Sequence, residues 1–181
     1  MAGPEPYLAD PAELATFLKL PADDLRLLAA LRAATRRFRG AVRHPVSLVT
    51  DDTVFLDGTG KAQLRLPAAP VLQVRAVLVD GVALQGVRVR REAGLLLYPS
   101  GCWPEWSEVA VTYDHGHDPV PEDVAEVVID QARTIYRTDP AIQQVTTGTE
   151  SVSFAATAAV GVTAQWAAAV EAHQLNRGDS A

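Results

Sequence analysis

One stretch, Val109 to Tyr136 (VAVTYDHGHDPVPEDVAEVVIDQARTIY), constrains the fold more than any other. Val109, Val111 and Tyr113 are β-favouring residues that alternate with smaller or polar ones, the pattern of a strand with one buried face. The pattern breaks at Gly116, Pro119 and Pro121. Pro121 suits the first turn of a helix, where its missing N–H costs nothing, and Glu122 and Asp123 are favourable at the positive end of the helix dipole. Val124, Val127, Val128, Ala132 and Ile135 then recur at helical spacing, with Glu122, Glu126, Asp130, Arg133 and Arg137 on the other side. The stretch reads as the last strand of a β region handing over to an amphipathic helix at 121–137.

Upstream, two further helices are expected. Asp10 caps the first, with Pro11 at its first position and Glu13 reaching back, and Leu14, Phe17 and Leu18 form its apolar side. Leu20-Pro21 ends it, and residues 1–9 read as a loose leader. The second helix spans 22–39 with Asp23 and Asp24 in its first turn. Leu27, Leu31, Ala34 and Phe38 make its buried stripe, widened by Leu28 and Thr35, and Gly40 is the expected terminator. Residues 46–49, 53–56, 62–66, 71–79, 82–89, 95–98 and 109–113 are candidate strands. Asp80-Gly81 is a two-residue hairpin signal, and Asp57-Gly58-Thr59-Gly60 reads as a second, longer turn. Strands this closely spaced leave no room for crossover helices, so the sheets are antiparallel, curled or sandwiched.

Beyond Asp139-Pro140, residues 141–162 hold only a weak alternation at Val152 and Phe154, too little apolar surface to offset the cost of ordering. A last helix over 163–175 carries Trp166, Val170 and His173 on one face. It is short and alanine-rich and has no evident partner in the chain, which points Trp166 towards an interface.

The 181 residues fit one domain with appendages. The formal charge of −6 is unlike the basic footprint of a dedicated nucleic-acid binder. A single cysteine, Cys102, excludes a disulfide framework and a cysteine-rich zinc site. The sequence has no N-terminal signal pattern and no apolar run long enough for a membrane helix, so neither signal-directed secretion nor a membrane span is expected.

Candidate sites are few. His115, His117 and Asp118 are the only residues with the flavour of a metal site: two histidines one residue apart on a strand share a face. A catalytic zinc needs three protein ligands and a base, which this sequence does not offer at a recognised spacing, so turn and packing roles explain the trio better. Ser100-Gly101-Cys102 lacks the strand–turn–helix of a nucleophile elbow, and Asp57 to Lys61 lacks the spacing of a phosphate loop. Arg32, Arg36, Arg37, Arg39 and Arg43 suit a helix C-terminus and a solvated face, with contact to phosphate or an acidic partner as the alternative, ion pairs between subunits above all. Trp103 and Trp106 sit on a polar loop, one fit for the core and either for an interface. Arg177-Gly178-Asp179 is a chance tripeptide in a polar tail.

The order of these pieces resembles the head–tail connector, or adaptor, proteins of long-tailed bacteriophages. The matching residues are Tyr113, Gly116, Pro119, Asp123 and Val124, then Glu150-Ser-Val-Ser-Phe154; Leu64-Arg-Leu-Pro67, Pro70-Val71 and the Asp80-Gly81 hairpin look like that family's β region. His117 stands where a tyrosine is more usual. The resemblance spans most of 10–175. It implies an α+β fold: a small helical bundle (1–40 and 115–140), an inserted antiparallel β-domain (41–114), and an extension (141–181) ending in a helix.

It also implies a non-enzymatic virion protein with no cofactor, made in the host cytoplasm. Such proteins form a ring, typically of twelve subunits, beneath the portal protein. The ring extends the DNA channel without gripping DNA and docks a stopper or tail-completion protein. Carried onto this chain, Val152, Phe154, Trp166 and Val170 would order on the portal. Arg36, Arg37, Trp103, Trp106, Glu126 and Asp130 are the candidates for ring or neck interfaces. The competing readings are another neck component (stopper or tail terminator), a small metal-dependent enzyme using His115, His117 and Asp118, and a carbohydrate- or peptide-binding β module using Trp103 and Trp106.

Overall fold

The computed structural model describes residues 6–138, 145–147, 150–152 and 163–175. In order the elements are α1 (Pro11–Leu18), α2 (Leu25–Val42), β1 (Val49–Asp57), β2 (Gln63–Arg65), β3 (Val71–Val79), β4 (Val82–Ala83), β5 (Arg88–Arg90), β6 (Leu95–Leu97), β7 (Glu108–His115), α3 (Glu122–Arg137), β8 (Val145–Thr147), β9 (Glu150–Val152) and α4 (Ala164–His173). The protein is α+β. Two compact units share the chain: a β unit from 42–121 with 174–175, and a helical unit from 6–41 with 122–173.

In the β unit, β7 is the centre of an antiparallel sheet ordered β1-β7-β3-β4, and a second antiparallel sheet runs β2-β6-β5. Pairing on both edges sets Val111 opposite Val54 on β1 and opposite Val77 on β3. Alternation then sends Val109, Val111 and Tyr113 into one core with Leu64, Leu66, Val77, Leu96 and Trp103. Asp80 (φ 50°) and Gly81 (φ 79°) both take left-handed backbone and join β3 to β4, the two-residue turn that their sequence calls for.

Several boundaries differ from expectation for identifiable reasons. Of the strand expected at 46–49 only Val49 is strand, and it joins 53–56 in β1, bulged between Val49 and Asp52 where Asp51 has φ 54°; Val46, at φ 68°, and the lone bridge at Ser47 lie outside it. The run 82–89 is interrupted by Gly86 at φ 79°, so β4 and β5 belong to different sheets. Asp57 to Gly60 is not a hairpin turn, since β1 and β2 lie in different sheets. It clasps the tryptophan loop instead: Gly58 N–H donates to Ser107 O (2.8 Å), Trp106 N–H to Gly58 O (3.0 Å), and Gly60 N–H to Trp103 O (3.1 Å). A Cβ on Gly58 would overlap the Pro104 carbonyl oxygen, so only glycine permits the clasp.

In the helical unit, Asp10 accepts from Ala12 N–H (2.8 Å) and begins α1, and Lys19 ends it in left-handed backbone. Glu13 is exposed, with only Asp10 and Ala12 in the capping bond, so the reciprocal box is not what starts this helix. Asp24 is not in the first turn of α2 but caps it, accepting from Leu27 N–H (2.8 Å). Gly40 does not stop α2: the helix continues to Val42, and Arg43, at φ 66°, takes the left-handed turn. The leader is anchored from residue 6 onward, with Leu8 fully buried and its N–H donating to the Thr35 hydroxyl (3.2 Å). On α3 the buried face is wider than expected, adding Ile129 and Gln131 to Val124, Val127, Val128 and Ala132. β8 and β9 pair antiparallel, Val145 with Val152.

Candidate interaction surfaces

The two loop tryptophans, three residues apart, have opposite fates. Trp103 is fully buried and meets Tyr98 edge-on at 5.2 Å between ring centres. It is a core residue of the β unit, which removes it from the interface candidates: an indole filling its own core has no face left to offer. Trp106 is 83% exposed, with φ 64°, on backbone held by the Gly58 clasp. A large aromatic displayed on constrained backbone is the kind of side chain that anchors an interface.

Trp166 corrects the reading of α4. Thr163 caps the helix by accepting from Trp166 N–H (3.1 Å), and the indole meets Phe38 of α2 edge-on at 5.2 Å, leaving it 5% exposed. His173 Nε2 lies 2.9 Å from Asp123 Oδ2 at the start of α3. The last helix therefore has intramolecular partners. Phe38 looked complete as part of the α2 stripe, so nothing in the local pattern showed that it also receives a tryptophan from over a hundred residues away. Val170 is half-buried on the same helix. The side chain of Val152, and Phe154 and the 177–179 tripeptide altogether, lie outside the described residues.

The structure gives His115 and His117 different surroundings. His115 is buried at the end of β7, its ring tilted by 33° against that of Tyr113 (4.7 Å between ring centres), with Nε2 3.1 Å from Asp52 Oδ2. Gly116, at φ 93°, takes the chain out of the strand before His117, so the shared-face argument fails at that residue. His117 N–H instead donates to Val46 O (2.8 Å) and its carbonyl accepts from Leu48 N–H (3.0 Å). Among the described residues no group of three His, Cys, Asp or Glu could hold a metal ion. Burial pushes the Tyr113 phenol well above its ordinary range, and the nearby Asp52 carboxylate adds to this.

Sequence reasoning missed an ion cluster that crosses three strands. Asp114 on β7 accepts from Arg75 Nε (2.9 Å) and Nη2 (2.7 Å) on β3 and from the backbone N–H of Asp51 (2.8 Å) at the β1 bulge. Arg75 Nε also lies 2.8 Å from Asp51 Oδ1. The partners are far apart in sequence, and only the strand order brings them together. The Arg75 guanidinium, helped by the Asp51 N–H, holds the Asp114 carboxyl below its ordinary range. A carboxylate depressed in this way contributes stability above its unfolded pKa of about 3.9, and that contribution is lost as pH falls through the lower folded value. Asp114→Asn should therefore lower the melting temperature at neutral pH, and wild type and variant should converge in melting scans below about pH 3. Parallel melting curves over that range would show that the cluster is not a source of acid sensitivity.

The helices carry the remaining candidates. Arg36, Arg37 and Glu126 are exposed, and Asp130 pairs with Arg133 at 3.0 Å. Arg32 lies over the Tyr7 ring and Arg26 over the Tyr136 ring, each consuming a basic residue of α2 within the chain. Between α2 and α3 runs a groove of about 460 Å³ lined by Ala29, Ala30, Ala33, Ile135 and Tyr136, with Arg26 and Arg37 at its rim. Among the described residues no helix is long and apolar enough to cross a membrane.

No protein-family model and no curated protein matches the sequence. Solved structures do match in fold. The neck of an empty gene transfer agent particle, computed with C6 symmetry, contains a chain 22% identical to this one with a TM-score of 0.63. The neck of the native particle, computed with C12 symmetry, contains one at 20% and 0.63, and the native virion one at 19% and 0.63. Each alignment covers 100% of this chain and 96% of the neighbour. The chain thus shares the fold of chains found in the neck and virion of gene transfer agent particles, and it is α+β, as the connector resemblance implied.

Proposed function

We propose that this protein is a structural, non-enzymatic component of the neck of a phage-like particle, assembled as a ring at the head–tail junction. The observation that carries this reading is the end-to-end fold match to a chain of a gene transfer agent neck. The symmetry of the neighbours' necks favours a ring. Within the neck the adaptor position fits best: beneath the portal, around the DNA channel, with a stopper or tail-completion protein docked below. The negative net charge suits a channel that lets DNA slide.

The segment 141–175 is assigned to the portal contact. Because Trp166 is packed on Phe38, the portal would meet α4 on its outer side or take the indole off Phe38 as it binds. Native mass spectrometry of the full chain, alone and co-expressed with its own portal protein, tests the reading. The expected result is a stoichiometric ring on the portal, lost on deletion of 163–181. A chain that stays monomeric beside the portal would overturn the adaptor assignment.

A further inference from the structure

The outward face of α2 is not an ordinary solvated helix face. Leu25 (84% exposed), Ala29, Arg36 and Gly40 fall along its middle, and a Cβ added at Gly40 would meet nothing within 4 Å. Arg32 flanks this line on one side and Ala33 and Arg37 on the other. The eighteen residues of α2 include five arginines and no carboxylate. The face thus combines exposed leucine, alanine and glycine with arginines at its centre (Arg36) and on both flanks, and carries no carboxylate to neutralise them. The alanine-lined groove overlaps this face, sharing Ala29, Ala33 and Arg37 with it.

The same helical unit carries the opposite charge elsewhere. The first half of α3 bears Glu122, Asp123 and Glu126, Asp130 follows directly, and no cation comes before Arg133. His173 and Arg133 engage Asp123 and Asp130, but Glu122 and Glu126 have no ion partner among the described residues, and neither do Arg36 and Arg37. Glu122 and Glu126 lie one helical turn apart and so share a stripe. Among the described residues, this unit therefore carries two arginines without an ion partner on α2 and two glutamates without one on α3.

We propose that the occupant of the α2 face is the first half of α3 from a second copy of this chain, with Arg36 and Arg37 set against Glu122 and Glu126. Two different faces meeting make a heterologous contact, which closes into a ring when the rotation per subunit divides a full turn. The inference rests on the neck reading and names the lateral surface of its ring. Exposed ion pairs contribute little singly, so they fix partner and register while Leu25, Ala29, Ala33 and the groove supply apolar burial.

Charge exchange tests this directly. Full-length wild type, Arg36→Glu/Arg37→Glu, Glu122→Arg/Glu126→Arg and the fourfold exchange are compared by native mass spectrometry at fixed protein and salt concentration. Circular dichroism of each variant checks that the fold is intact before its assembly is scored. Each double reversal sets like charges face to face and should weaken assembly by about a hundredfold, and the fourfold exchange should restore it. If the wild type forms a ring and either double reversal assembles equally well, this interface is wrong and the neck reading stands. Loss in the arginine reversal alone would assign the basic face to another partner and overturn the proposal. A wild type that never assembles, alone or on the portal, removes the ring reading and this interface with it.

Discussion

Replacing Trp103 by alanine is expected to destabilise the β unit by about 3–5 kcal/mol, the usual cost of deleting a large aromatic from a packed core. The indole is fully buried, meets Tyr98 edge-on, and belongs to the cluster that includes Leu66, Leu96, Val111 and Tyr113. A loss of that size is a large share of the roughly 5–15 kcal/mol by which domains are stable, so much of the variant should be unfolded or degraded on expression. Trp106→Ala, three residues on and 83% exposed, should stay within about 0.5 kcal/mol of wild type. Urea unfolding followed by far-ultraviolet circular dichroism distinguishes the two. Equal midpoints for the two variants would mean that Trp103 is not the keystone of this core.

Gly116→Ala should be nearly as damaging, by a different route. At φ 93° any side chain is strained, and here a Cβ would also overlap the carbonyl oxygen of Ser47. That backbone cannot simply move aside: Gly116 N–H donates to Pro70 O (2.9 Å), His117 N–H to Val46 O (2.8 Å), and Leu48 N–H to His117 O (3.0 Å). Val46 is itself β-branched and held at φ 68°, so the neighbouring chain is already strained. Left-handed strain alone costs on the order of 1–3 kcal/mol, and the overlap adds to it. The expected outcome is a total near or above 3 kcal/mol by urea unfolding. Gly81→Ala, at φ 79° in an open turn with nothing near its Cβ, should show the strain without the overlap. Equal losses at the two glycines would refute the overlap argument.

Much of this architecture was legible because its signals are local. Asp10-Pro11 begins a helix wherever it stands, Asp80-Gly81 makes a two-residue turn, and the handover from Tyr113 to Val124 switches period from two to 3.6 within a dozen residues. What escaped the sequence depends on partners distant in the chain. Gly40 has the chemistry of a terminator, but nothing forces a left-handed turn there, and the helix runs on. Gly58 looks like a hairpin glycine, yet its purpose is to let the Pro104 carbonyl approach. Trp166 seemed orphaned because Phe38 lies more than a hundred positions upstream, and the Asp51–Arg75–Asp114 cluster exists only once β1, β7 and β3 are in order. The surfaces followed the same rule: charge on α2 and α3 could be read as a pattern, but which of those charges remain unpaired could not.

The pairing of β1 with β7 bears on how the helical unit becomes possible at all. Its two main helices are separated in sequence by some 80 residues, all belonging to the other unit. The inserted sheet, however, starts and finishes on neighbouring strands: Val49 faces His115, and Ser47 bridges to His117. Once that sheet has formed, the tether between α2 and α3 behaves like a connection of about ten residues, which lowers the entropic cost of bringing the helices together by about 2 kcal/mol. Because the sheet is contiguous in the chain and the helical unit is not, the growing polypeptide can finish the former before the latter has all its parts. An insertion that folds first would act as an internal template for its host, so mutations confined to it, Gly116→Ala among them, are expected to slow helix docking in refolding experiments as well as to weaken the sheet.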